Sequence, residues 1–230
     1  MAVYAISDLH LSFIANKPMD IFGNNWKYHY KKIENNWNSK IDDDDYVLIA
    51  GDVSWGKNLE EAQKDLTFIS NLKGKKIFIC GNHDYWWGST SMLNGMYKNM
   101  CFIRNSYVTY KDYAICGSRG WVCPNDSVYT PHDNKIYKRE LHRVGLSLSE
   151  AVKDDYKKII LMLHFPPTND KKDESGFTEI IKQYKIELVV YGHLHGSDYF
   201  NSSLQGEIDG TRYVLTSCDY LKFDPIHLID

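Results

Sequence analysis

Six short apolar runs punctuate the chain: 2–7, 46–50 (YVLIA), 76–80 (KIFIC), 113–117 (YAICG), 158–163 (KIILML) and 187–191 (ELVVY). They are rich in β-branched residues and nearly continuous in apolar character, which predicts strands covered on both faces. Between them the apolar spacing lengthens to three and four. In 25–40, Trp26, Tyr30, Ile33 and Trp37 fall on one helical face, behind Asn24 or Asn25 as a cap. A second helix is predicted over 58–73, with Asn58 as cap, Glu60 and Glu61 in its first turn and Gly74 as its stop. A longer helical stretch covers 134–155, with Gly145 as a candidate break, and a shorter one covers 175–185.

The order β-α-β-α-β, then a β-rich stretch, then α-β-α-β predicts a layered α/β domain. The tail changes character. Residues 205–217 alternate about Asp209-Gly210, a type I′ hairpin signal, and 226–229 suits an edge strand. No repeat, low-complexity run or linker interrupts the chain, so a single domain over 1–230 is expected. Segments 11–25, 118–133 and 165–175 are irregular, and long loops in compact domains often carry function. The like-charge run Asp42 to Asp45 reads as a solvated turn and not as a metal site.

Composition narrows the class of partner. Hydrophobic residues make up 43% and charged residues 25% of the 230, as in soluble globular proteins. A net charge of −3 offers no global attraction for nucleic acid or for an anionic membrane, so neither is an expected partner. A phosphorylated substrate would have to be drawn in locally. The five cysteines are odd in number and lack CxxC spacing, and Cys80 and Cys116 lie in apolar runs. A reducing cytoplasm is therefore the expected location. The chain opens directly on strand-like Ala2–Ile6 with no leader pattern, and no window approaches the ~20 apolar residues of a membrane span.

Five polar clusters each follow an apolar run: Asp8-Leu9-His10, Gly51-Asp52, Gly81-Asn82-His83-Asp84, Leu163-His164 and Gly192-His193-Leu194-His195. Together they combine carboxylates, an amide and five of the nine histidines, a donor mixture suited to divalent metals. Alternate residues of an extended segment point the same way, so Asp8 with His10, and His193 with His195, could each reach one ion. Each cluster also has a plain reading. Asp52 could cap a helix, and His164 could be a strand-end histidine bonded to backbone. Their shared position past strand ends argues for a site, because open α/β sheets bind ligands beyond the carboxyl ends of their strands. Trp55, Tyr85, Trp86, Trp87 and Trp121 lie beside these loops and read either as core anchors or as a stacking wall. Arg119 reads either as a bidentate phosphoryl contact or as a surface ion pair. Lys17, Arg104 and Arg143 cannot be placed from sequence.

The order D-x-H, G-D, G-N-H-D, a lone H after a strand and G-H-x-H resembles the signature of the calcineurin-like metallophosphoesterases from Asp8 to His195, with no signature residue missing. The resemblance implies a four-layer α-β-β-α sandwich, with two mixed sheets flanked by helices. It also implies two divalent metal ions among Mn, Fe, Zn, Co or Ni, with Mn or Fe favoured. By this likeness Asp8, His10 and His195 hold one ion, Asn82, His164 and His193 hold the other, and Asp52 bridges them. His83 then serves the leaving oxygen or the phosphate, and Asp84 is its orienting acid, raising its pKa. Two cations about 3.5–4 Å apart can share a water, lower its pKa and clamp phosphoryl oxygens. The implied activity is hydrolysis of a small phosphate monoester or diester by a metal-bridging hydroxide, with His83 protonating the leaving group. Arg119, Trp121 and Trp86 are the expected substrate contacts. The alternatives are a non-catalytic interaction scaffold on the same fold and a metal-dependent nuclease, and the acidic net charge weighs against the latter.

Overall fold

The apolar runs become the interior of two β-sheets in the computed structural model, which describes residues 1–230. In chain order the strands are β1 (Val3–Ile6), β2 (Tyr46–Ile49), β3 (Lys75–Phe78), β4 (Met100–Phe102), β5 (Tyr107–Tyr110), β6 (Tyr113–Ser118), β7 (Lys158–Leu163), β8 (Leu188–Tyr191), β9 (Gly206–Ile208), β10 (Thr211–Leu215) and β11 (Ile226–Ile229). The helices are α1 (His29–Lys40), α2 (Leu59–Asn71), α3 (Thr90–Leu93), α4 (Pro131–Lys153), α5 (Gly176–Tyr184) and α6 (Ser197–Phe200). One sheet runs β11-β1-β2-β3-β4 and the other β5-β6-β7-β8-β10-β9. The inner pairs are parallel, while β11, β5 and β9 pair antiparallel at the edges, so both sheets are mixed.

Alternation along the strands sorts the core into three layers of contact. On β7, Ile160 and Met162 face the other sheet and share a layer with its Val3, Leu48 and Ile77 and with Val190 of neighbouring β8. Ile159, Leu161 and Leu163 face the opposite way and pack with Val144 and Leu148 of α4 and Phe177 and Ile181 of α5. Across the molecule Ile33 and Trp37 of α1 and Leu66 and Ile69 of α2 pack on Ile49 and Phe78. The order is therefore helices, sheet, sheet, helices, the four layers implied by the sequence resemblance.

Local chemistry explains most boundaries. The Asn58 side chain accepts from the Glu61 N–H at 3.0 Å and starts α2. Asp209 and Gly210 both have positive φ, 51° and 81°, as a type I′ turn requires. Several expectations need correction. Residues 19–26 form two 3₁₀ turns and α1 begins only at His29, because Trp26 is buried against Phe223 instead of on the helix face. Helix α4 starts at Pro131 on a Thr130–Asp133 capping box and passes through Gly145 unbroken. Strands β4 and β5 were not legible, being short and at edges. Asp45 is not a solvated turn residue, since it is 6% exposed and accepts from the N–H groups of Ala2 (2.7 Å) and Asp42 (2.9 Å), tying down the start of β1.

Trp37 is fully buried and its Nε1 donates to the Lys73 carbonyl at 2.9 Å, so it locks α1 onto the chain following α2. Trp37→Ala is expected to lower stability by about 3–5 kcal/mol, read from the urea midpoint. A loss within the ~0.5 kcal/mol of a typical surface change would contradict this packing.

Candidate metal centre

Each predicted ligand cluster lies just beyond the C-terminal end of a parallel strand: Asp8 and His10 after β1, Asp52 after β2, Asn82 after β3, His164 after β7, His193 and His195 after β8. Three of these strands belong to one sheet and two to the other, so the site sits where the two carboxyl edges meet. The loops are not extended. Asp8, His10, Asp52 and His193 have φ of 57°, 44°, 51° and 71°, a left-handed conformation that costs of order 1–3 kcal/mol for such residues. These kinks, and not strand alternation, turn the side chains inward. Two glycines make the approach possible. A Cβ on Gly81 would lie 2.0 Å from Asp52 Oδ1, and one on Gly192 would lie 2.1 Å from Asp8 Oδ2.

The structure brings all seven predicted ligands together. One oxygen of Asp52 lies 3.8 Å from His10 Nε2 and the other 3.6 Å from His164 Nε2. Asp8 Oδ1 lies 3.6 Å from His195 Nε2, and His10 Nε2 is 3.1 Å from His195 Nε2. The donors of Asp8, His10 and His195, and those of Asp8, Asp52 and His164, each lie within 4.8 Å of one another. The His193 ring stands 5.1 Å from that of His164. His164 Nδ1 donates to the Ala50 carbonyl at 2.9 Å, which leaves Nε2 as an acceptor facing the acceptor Asn82 Oδ1 at 2.7 Å. Two lone pairs aimed at one point are reconciled by a shared cation, so the residues fit a metal centre.

Charge tells the same story. Burial and the charge of Asp8 push the Asp52 carboxyl up to about 8. Burial works against Asp8 as well, but the close approach of His195 and the charges of His164, His195 and His10 hold it below the usual carboxylate range. Burial lowers the pKa of His164, lowers that of His10 further and, with His164 beside it, pushes His193 down to about 3. Neutral imidazole is the form that binds metal. His195 differs. Against the effect of burial, Asp219 and then Asp8 raise it to about 10. Asp219 Oδ1 lies 3.0 Å from His195 Nδ1, which turns Nε2 toward the site. Asp219 was missed in the sequence because Cys218-Asp219 carries no ligand pattern.

Two expected roles change. Asp84 makes no hydrogen bond to His83. Its buried carboxylate accepts from the N–H groups of Gly81 (2.8 Å), Asp52 (2.9 Å) and Val53 (2.9 Å) and from Trp86 Nε1 (3.0 Å), so it shapes the Asp52 turn. The His83 pKa moves down and not up, through burial, His164 and Lys17. The His83 N–H donates to Asp52 Oδ1 at 2.9 Å, and its ring lies 4.5 Å from that of Trp55.

The residues around the donors are partly those expected. Trp55 stacks on His10 at 4.8 Å and, with Trp26, His83, Asp52 and His195, lines a cavity of about 490 Å³. Lys17 Nζ lies 4.2 Å over the Trp55 ring. Trp86 is 3% exposed and belongs to the core, so it is not a cavity wall. Arg119 pairs with buried Glu140 at 3.6 Å and lies over Trp121, whose Nε1 donates to Asp133. Neither Arg119 nor Trp121 lines the cavity.

The chain resembles known proteins in sequence and in fold. The family model described as calcineurin-like phosphoesterase matches residues 1–197. The uncharacterized protein MJ1445 of Methanocaldococcus jannaschii is 33% identical over 87 residues, 36% of this chain and 46% of that protein. The chain therefore spans about half the length of that relative. The gene 66 protein of Mycobacterium phage D29 is 24% identical over 195 residues, 84% of this chain and 78% of that one. The solved structure of TT1561 from Thermus thermophilus superposes with a TM-score of 0.60 at 10% identity, over 99% of this chain and 97% of that one, a likeness of fold.

Asp219→Asn should weaken Mn²⁺ binding about 10–100-fold in calorimetric titration. Gly192→Ala should weaken it further, because its new Cβ collides with Asp8 and Ser7. Gly145→Ala, where a Cβ meets nothing within 4 Å, should leave binding unchanged. Unaltered affinity in both site variants would contradict the arrangement described.

Proposed function

The chain belongs to the calcineurin-like phosphoesterase family, and from that premise we propose that it hydrolyses a small phosphate ester at a two-metal centre. The observation that carries this reading is the Asp52 carboxylate, one oxygen toward His10 and the other toward His164. Asp8, His10 and His195 would hold one divalent ion and Asn82, His164 and His193 the other, with Asp52 between. The nitrogen and oxygen donor set suits Mn or Fe, with Zn, Co or Ni as substitutes. Bound there, the ions supply acidified water and positive charge against the phosphoryl oxygens.

The protein's own groups do the rest. Asp52 is fixed by the N–H of His83, and its loop by Asp84, so the bridging carboxylate is preorganised. His83 stands at the rim of the donors, where its ring N–H can give a proton to the leaving oxygen. Lys17, over the Trp55 ring and close enough to bias His83, adds positive charge behind the cavity wall. Trp26 and Trp55 wall that side of the cavity and exclude water. All five cysteines are unpaired, which supports a reducing compartment, and no helix is long and apolar enough to cross a membrane. The absence of an arginine or lysine among the cavity walls supports a small substrate over a nucleic acid.

Asp52→Asn should abolish Mn²⁺-dependent hydrolysis of 4-nitrophenyl phosphate and bis(4-nitrophenyl) phosphate. Equal turnover by variant and parent, or none by the parent with any metal, would defeat the proposal. His83→Gln should lower kcat by about 10²–10⁴ while metal affinity holds. As the proton donor, His83 acts in its charged form, and its pKa lies below the ordinary ~6.5. The parent's kcat should therefore fall as pH rises through that lowered value, and a metal-saturated His83→Gln enzyme should lack this limb.

A further inference from the structure

We infer that the substrate is a phosphodiester, and that the substituent remaining on phosphorus after cleavage is uncharged or cationic and occupies a second cavity beside the metal centre. This rests on the phosphoester reading above. Two cavities flank the donors and share only His193 and His195. The first, of about 490 Å³, contains His83 and hence receives the leaving group. The second, of about 410 Å³, has no imidazole except His193 and His195, both assigned above as metal ligands. Both sizes fall within the about 300–1,000 Å³ of small-molecule sites. A monoester has one organic substituent, whose place is beside His83. A diester has two, one for each cavity.

The second cavity is built to hold an organic group. Val122, Val128 and Tyr199 form apolar walls, and Phe165 joins it to the donors, with its ring 4.0 Å from that of His193. Thr168 lines the cavity at 6% exposure, and its hydroxyl has no partner within the protein. Val128 and Tyr199 are 68% and 63% exposed, so they leave apolar surface at the cavity that a ligand would cover. The charged wall residues apart from the histidines are Asp126 and Asp170, and no lysine or arginine lines the cavity. Away from the histidines a second phosphate there would meet only the negative charge of Asp126 and Asp170, which selects against a polynucleotide and for a neutral or cationic alcohol. In the reaction the oxygen of water bonds to phosphorus and the P–O bond beside His83 breaks. The leaving oxygen takes a proton, and the group in the second cavity departs as its phosphate monoester.

The test uses Val128→Trp, chosen to put a bulky ring at a wall of the second cavity that holds no donor. In the slowly reacting His83→Gln background with Mn²⁺, calorimetry would compare diphenyl phosphate with phenyl phosphate. Filling the cavity should raise the Kd of the diester about tenfold and leave that of the monoester within about twofold. In the otherwise unaltered enzyme, 4-nitrophenyl phosphorylcholine should be cleaved with higher kcat/KM than 4-nitrophenyl phosphate, and Val128→Trp should raise KM for the first ester only. Equal changes for mono- and diester, or none for either, would overturn the inference, while turnover of 4-nitrophenyl phosphate would keep the reading beneath it. If no ester were cleaved yet the diester-selective loss of binding persisted, the phosphoesterase reading would fail and the second cavity would stand as the binding place of an ester substituent.

Discussion

Two buried carboxylates within reach of one another cannot both stay charged without compensating positive charge, and this constraint organises the structure. Asp8 and Asp52 are 0% and 2% exposed. Asp8 keeps its charge because Ser7, the His193 N–H and nearby imidazoles are all directed at it. Asp52 is left with one N–H donor, and its proton affinity rises to about 8. What the protein itself withholds from Asp52, a divalent ion can provide. The neutral histidines around the pair add donors without adding charge, so the whole cluster is poised for cations and is unfavourable without them.

The fold makes this poise tolerable in backbone terms. Left-handed backbone at Asp8, His10, Asp52 and His193 disfavours the folded chain locally. Each kink is anchored by a strand that is buried on both faces and hydrogen-bonded on both sides, so the strain sits where the surroundings over-determine the chain. Backbone bonds reach across the kinks as well: the Asp8 N–H donates to Gly51 and the His10 N–H to Asp52. The parallel sheets thus do two jobs. They supply the core, and their converging carboxyl edges deliver five loops to one place.

The sequence shows the donors more clearly than their environment. Strand runs and ligand clusters are local patterns, and β1, β2, β3, β7 and β8 all fall close to their apolar runs. The donor types are legible only from the clusters taken together, since each alone also has a plain reading. What escapes is whatever depends on partners distant in the chain. Asp219 acquires meaning only when β10 delivers it beside His195, 24 residues earlier. Trp26 fits a helical spacing, yet its burial against Phe223 removes it from α1 and sets it over the site. Asp84 sits next to His83 in sequence, but in space it faces the Asp52 turn, so adjacency misleads. Arg119 is drawn off by Glu140, a residue of α4 that no local pattern links to it.

This division separates chemistry from selection. The donors stand on short loops pinned to strands, with little freedom to drift. The walls of the second cavity come from the long irregular segments 122–128 and 165–170 and from the region of α6. Such segments tolerate change without disturbing the sheets. Val128 is an exposed wall residue and not a donor, whereas a methyl group on Gly81 or Gly192 would strike Asp52 or Asp8. A fold arranged in this way keeps its means of activating solvent fixed while the shape and charge of the accepted ester vary with the loops. In this chain the loops present acids and apolar surface and no arginine or lysine. On the proposed reading, attraction for the phosphoryl group comes from metal ions and the His83–Lys17 side, and discrimination among esters from the opposite side.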